Sequence, residues 1–137
     1  MSDVIEFSAG DFVHLGLGAT VVPLPRHGGD MAWYEEYGRA HGGDGVEGRL
    51  VSMYTFTESW DSWEMHPSGH ELVLCVSGQV TLVQEHPNGE VTSTVISGGQ
   101  AVVNHPGVWH TAEVHDPADP PTVVFITAGA GTEHRPC

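Results

Sequence analysis

From Arg49 onward, apolar and polar residues alternate in short runs. They are "RLVSMYTF", "DSWEMH", "ELVLCVSG", "QVTLVQEH", "EVTSTVIS", "QAVVN", "WHTAEVH" and "TVVFITAG". Each run is rich in Val, Thr, Ile or aromatics and is bounded by Gly, Pro, Asn or Asp, and a period of two is that of a half-buried strand. "HPNGE" (His86–Glu90) predicts a tight hairpin, because Asn88-Gly89 accepts the positive φ that such a turn needs. Nothing between Arg49 and Ala128 carries the pattern of a helix of useful length. Eight short strands of this kind predict an all-β sandwich or barrel.

The first 48 residues follow a different rhythm and read as an N-terminal arm. "ATVVPL" (Ala19–Leu24) predicts an edge strand stopped by Pro23 and Pro25. "MAWYEEYGRA" predicts a helical turn or two, weakened by Gly38, and "HGGDGVEG" (His41–Gly48) is a loop on its glycine content. The expected division is an arm over residues 1–48, a barrel over 49–129 and a short tail over 130–137.

A chain of 137 residues suits one domain with a single core. Its 18 glycines and 9 prolines agree with many turns. Four arginines and no lysine face 18 acidic residues, for a formal charge of -14. A surface so negative repels phosphate backbones and anionic lipid, so no nucleic-acid or membrane partner is expected. Cys75 sits inside an apolar strand and Cys137 is the last residue, which predicts no disulfide. "MSDVIEFSAGDF" has neither the basic start nor the apolar core of a signal peptide, and the cytoplasm is the expected location.

Candidate chemistry is concentrated in "WEMHPSGHELVLCVSG" (Trp63–Gly78), where two histidines and two glutamates lead into a strand. Alternation puts Ser62, Glu64 and His66 on one face, with Trp63 and Met65 on the other. Glu71 opens the next strand and shares a face with Val73 and Cys75. Further on, "GGQAVVNHPGVWHTAEV" turns at Pro106-Gly107 just before His110. A barrel that points these faces inward brings Glu64, His66, Glu71 and His110 together.

These two segments resemble the motifs of the cupin family. Glu64-Met65-His66-Pro67 occupies the slot of the family's His-x-His, with glutamate in place of the first histidine. Glu71 follows His66 by five residues and Gly78 follows Glu71 by seven, at the spacing of the first motif. Gly99, His105-Pro106-Gly107 and His110 resemble the second motif, with His105 where a proline often stands and Val114 where an asparagine is expected. The resemblance spans roughly residues 50 to 128. It implies an all-β fold, the cupin double-stranded β-helix or jelly-roll barrel, carrying an N-terminal arm.

Carried over by position, the resemblance implies that Glu64, His66, Glu71 and His110 ligate one divalent ion. Two imidazoles with carboxylates favour Fe(II) or Mn(II), with Zn(II) or Ni(II) as alternatives. The implied function is a metal-dependent enzyme, dioxygenase-like or isomerase-like, acting on a small organic molecule in the barrel, with Glu64, His66 and His110 as catalytic groups. Two rivals keep the pocket: a metal-free acid–base isomerase or epimerase using His66 and His110, and a non-catalytic module that binds or senses a small ligand.

Alternation also assigns a mostly apolar lining to Tyr54, Ser62, Val73, Cys75, Val83, Val102, Ala112 and Phe125. His70 turns outward, and Trp60, Trp63 and Trp109 read as core or interface aromatics. His14, His27, His41, His86, His115 and His134 read as surface or loop residues. A homodimer is expected, with "ATVVPL" as a strand lent to the partner.

Overall fold

The computed structural model describes residues 4–137. The first three residues of the stretch read above as lacking a leader lie outside the described residues. The strands lie in two antiparallel sheets. Their ranges are β1 Val13–Gly16, β2 Thr20–Pro23, β3 Arg49–Thr55, β4 Ser62–Met65, β5 Glu71–Ser77, β6 Gln79–Glu85, β7 Val91–Ser97, β8 Ala101–Asn104, β9 Trp109–Glu113, β10 Thr122–Thr127 and β11 Glu133–Pro136. One sheet has the order β2-β1-β3-β10-β5-β8 and the other β11-β4-β9-β6-β7. All eight strands expected beyond Arg49 are present, and among the described residues no helix interrupts them.

Alternation along the strands builds the core between the sheets. Val73 and Cys75 of β5, Val80 and Leu82 of β6, Ala112 of β9, and Val123 and Phe125 of β10 point inward and pack with Ile96. Burying such a set of side chains is the main favourable term holding the sheets together. The expected lining needs one correction. In β6 the inward positions are Val80, Leu82 and Gln84, and Val83 takes the other face. A one-residue slip of phase exchanges the two faces of a strand, and "QVTLVQE" is apolar enough on both for sequence to leave its phase open.

The arm is tied to the first sheet. Val13–Leu15 pair with β3, and Thr20–Pro23 pair in the same chain with β1 at the sheet edge. The helix α1 (Met31–His41) starts at Asp30, whose side chain accepts from the Trp33 amide at 3.2 Å, an N-cap that satisfies one free backbone donor. His14, expected at the surface, is instead 2% exposed. Its Nδ1 meets the Tyr37 hydroxyl at 2.6 Å and its Nε2 meets Asp44 at 2.6 Å. This arrangement fastens the helix and the turn after it to β1. Residues beyond Gly129 likewise join the architecture, since β11 pairs with β4 over Glu133–Pro136. Arg135 lies between Trp63 and Trp109 on the outer face of that sheet.

Candidate metal centre

Two registered rows of side chains, one on each sheet, face each other at one end of the barrel. On the first sheet Glu71 of β5 stands in register with Thr127 of β10 and Asn104 of β8. Residues in register share a face, so both neighbours reach the Glu71 carboxylate. Asn104 Nδ2 donates to Oε1 at 2.9 Å and the Thr127 hydroxyl donates to Oε2 at 2.6 Å. On the second sheet Glu64 of β4 is the register partner of His110 of β9, which in turn is opposite Gln84 of β6. Gln84 Nε2 joins the rows by donating to Asn104 Oδ1 at 2.7 Å. His66 enters from just past β4.

The four side chains picked out from sequence converge. His66 Nε2 lies 3.2 Å from Glu71 Oε2, and His110 Nε2 lies 3.3 Å from Glu71 Oε1. Glu64 Oε2 is 3.8 Å from His66 Nε2 and 3.9 Å from His110 Nε2. His110, Glu71 and His66 are 1%, 3% and 6% exposed. Glu64 is more open and forms the wetter side of the cluster.

Hydrogen bonds at the far ring atoms fix both imidazoles. His110 Nδ1 is 3.2 Å from the Val108 carbonyl, which can only accept, so Nδ1 carries the hydrogen. His66 Nδ1 is 2.8 Å from the Thr132 hydroxyl, and that hydroxyl already donates to the Gly129 carbonyl at 2.7 Å. It therefore accepts from His66 Nδ1. With a hydrogen on Nδ1, each ring in its neutral form turns a bare Nε2 lone pair inward, and neither Nε2 has a hydrogen-bond partner. Two lone pairs and two carboxylates crowding one buried point repel each other unless something positive sits among them. The donor set fits a divalent cation bound by nitrogen and oxygen. Glu64, His66 and His110 each bring a ligand atom within 4.8 Å of the others, and Glu71 completes the ring of donors.

The charges respond to one another. Burial works against the charge on His66, but the Glu71 carboxylate beside it, with Glu64, outweighs this and holds its pKa above the usual histidine value. For His110 burial wins, and its pKa is pushed down. Burial would raise Glu71, yet His66, His110 and the Thr127 hydroxyl hold it below the ordinary carboxylate range. The two imidazoles are therefore driven in opposite directions.

Several contributors were not legible in sequence. Thr132 and His134 lie in the expected tail, and His134 Nε2 is 3.1 Å from Glu64 Oε1. His27 is also not a plain surface residue, since its ring stacks on Phe12 and meets Trp33 and Tyr34 edge-on. The phenols of Tyr34 on α1 and Tyr54 on β3 share a hydrogen bond, and both feel the charge of Glu64. Burial raises the pKa of each, so both stay protonated at neutral pH. His70 turns outward, as alternation says, and His105 lies beside it. Both are exposed and meet edge-on outside the cluster, with ring centres 4.8 Å apart. A cleft of about 430 Å³ opens beside Glu64, past Phe56, Trp60, Glu58 and Asp61.

No family model and no curated protein matches the sequence. Solved structures do resemble the fold. A protein with a double-stranded β-helix domain from Klebsiella pneumoniae superposes with a TM-score of 0.53 at 21% identity, covering 65% of this chain and 76% of its own. Oxalate decarboxylase from Bacillus subtilis gives a TM-score of 0.55 at 14% identity over 72% of this chain. The chain has the cupin fold. An oxalate oxidase, solved with the substrate analogue glycolate, aligns at 15% identity with a TM-score of 0.53 over 62% of this chain. The aligned region spans only 26% of the decarboxylase chain and 45% of the oxidase chain. Among the described residues of this chain, no helix is long and apolar enough to cross a membrane.

Proposed function

We propose that this cupin holds one divalent metal ion on His66, Glu71, His110 and Glu64 and is a metal-dependent enzyme acting on a small organic molecule that reaches the centre past Trp60. One observation carries the reading. Two buried Nε2 lone pairs, each fixed by a hydrogen bond at Nδ1, face two carboxylates with no donor between them. Metal-ligating histidines are held at their second nitrogen in this way, which sets the tautomer and aims the lone pair. Imidazole with carboxylate suits Fe(II) or Mn(II) over softer ions. The Bacillus subtilis oxalate decarboxylase has Mn(II) centres, which supports the same choice here.

A bound ion supplies Lewis acidity to a coordinated substrate oxygen, for oxidative or isomerase chemistry. The residues of the chain do the rest. Glu71 is locked by Asn104 and Thr127, so it serves as a fixed ligand. Glu64 is more exposed, borders the cleft, and is placed to take a proton from a substrate carbon or hydroxyl or to return one. The sandwich of aromatic side chains around Trp60 keeps bulk water from the buried side of His110.

Elemental analysis of protein purified without added metal, repeated after reconstitution with Fe(II) and Mn(II), tests the proposal. One equivalent of ion per chain supports it, and none after reconstitution overturns it. A second reading rests on the opposite shifts of His66 and His110, which make an acid–base pair of the kind used in proton transfer without a metal. Turnover that persists in metal-stripped protein would select it.

A further inference from the structure

Two of the three solved structures compared above are enzymes of oxalate, a small dianion. The electrostatics of this centre are set for something else. Glu64 and Glu71 together already cancel the two charges of a divalent ion. An oxalate dianion would add two uncompensated negative charges in a pocket whose ligands are mostly buried, where desolvation is costly and repulsion is weakly screened. A cationic side chain is the usual remedy, and none is available. The sequence has no lysine. Arg26 pairs with Asp11, Arg39 with Glu36 on the exposed side of α1, and Arg135 with Glu85 on the outer face of its sheet. Arg49 lies on the opposite face of β3 from the buried Leu50 and Ser52. His134 is already engaged by Glu64. At the mouth, Glu58 and Asp61 add negative charge to the cleft.

What the walls do offer is flat apolar surface and neutral donors. Trp60 stands with its ring centre 6.5 Å from that of His110 and 5.9 Å from that of Phe125, and Phe56 lies 5.5 Å from Trp60. The hydrogen-bonded Tyr34–Tyr54 pair, near Glu64, can give one phenolic hydrogen to a substrate oxygen without carrying charge.

Resting on the metal-centre reading above, we propose that the site takes oxygen chelators of at most one negative charge on a flat, apolar body, of the catechol or 1,3-diketone type, and discriminates against small dicarboxylate dianions. Chelation through two oxygens satisfies the ion, the aromatic wall takes the body, and the phenol pair holds the less acidic oxygen.

The test uses full-length protein loaded with Co(II), whose d–d bands report ligands entering the metal's coordination sphere. Catechol and oxalate are titrated separately, with dialysis confirming that cobalt stays on the protein. Catechol is expected to shift the bands at a concentration at least about tenfold lower than oxalate. Glu58→Lys, at an exposed position outside the ligand set, is expected to tighten oxalate several-fold and catechol by clearly less. Oxalate binding as tightly as catechol to the unmodified protein overturns the inference while leaving the metal centre standing. Oxalate binding that does not respond to Glu58→Lys overturns the part assigned to charge at the mouth. Absence of any protein-bound cobalt spectrum overturns the metal centre, and the substrate assignment with it.

Discussion

The Thr132 hydroxyl accepts a hydrogen bond from His66 Nδ1 at 2.8 Å, across a separation of 66 residues. The segment after the last barrel strand therefore decides which nitrogen of His66 is bare. Thr132→Val removes the acceptor while keeping the shape. The ring is then free to rotate or to change tautomer, and affinity for Mn(II) should fall by about 10- to 100-fold. Thr132→Ser should restore it. Isothermal titration with Mn(II) reads both, and equal affinity in Thr132→Val and unmodified protein would show that the contact has no orienting role.

Glu71→Gln separates charge from packing. The amide is the same size, and it can accept from Asn104 and donate to Thr127, whose hydroxyl is able to reverse its role. The metal-free variant should melt within a few degrees of the unmodified protein. Added Mn(II) should stabilise the unmodified protein, by about 2.7 kcal/mol at one hundred times the dissociation constant, and should leave Glu71→Gln unmoved. Scanning calorimetry with and without metal checks this, and an equal shift in both proteins would remove Glu71 from the ligand set.

The alternation of "DSWEMH" and "ELVLCVSG" was enough to place Glu64, His66 and Glu71 on inward faces, because strand parity is a local property. The convergence of His110 followed from the family spacing. Three features were not readable. The phase of "QVTLVQE" was masked by apolar residues on both faces, so Gln84, which braces Asn104, was overlooked. The contacts of His14, His134 and Thr132 join elements distant in sequence, and a histidine in a strand looks the same whether its partner is water or a buried tyrosine. The roles of Tyr34 and Tyr54 depend on where α1 lies against β3, and nothing in "MAWYEEYGRA" records that.

The His14 fastening has its own pH signature. Tyr37 is half-buried and its pKa is pushed up to about 12, mainly by burial and then by the nearby Asp44 charge. A phenol whose folded pKa exceeds its unfolded value of about 10 favours the folded state below pH 10. That contribution is lost as pH rises from 10 towards 12. Asp44 behaves in the opposite sense. His14 holds its pKa below 3.8, so its contribution is present above that value and is lost as acid protonates the carboxylate. Thermal midpoints measured across pH should therefore fall at both extremes. Tyr37→Phe should make the alkaline limb shallower, the rest of it belonging to Tyr34 and Tyr54, and Asp44→Asn should make the acid limb shallower, the rest of it belonging to Glu71. If either variant leaves its limb unchanged, the fastening does not govern it.

Two glycines of the motif-like segments ask different things of the backbone. Gly78 has φ +73°, and a Cβ there would stand 2.9 Å from the Pro120 carbonyl oxygen and 2.9 Å from Pro121 Cα. Both obstacles are main chain and cannot rotate away. Gly99 has φ +88° and would meet nothing within 4 Å. Gly99→Ala should therefore cost only the left-handed conformation, about 1–2 kcal/mol. Gly78→Ala carries the same cost plus displacement of the segment leading into β10, the strand that supplies Thr127 to Glu71. It should lose at least about 1 kcal/mol more than Gly99→Ala, a gap comparable to other overpacking changes, and should weaken Mn(II) binding where Gly99→Ala does not. Urea denaturation together with metal titration of the two variants decides the matter. Equal losses would mean that the Pro120-Pro121 turn yields freely and that Gly78 is there for its φ alone.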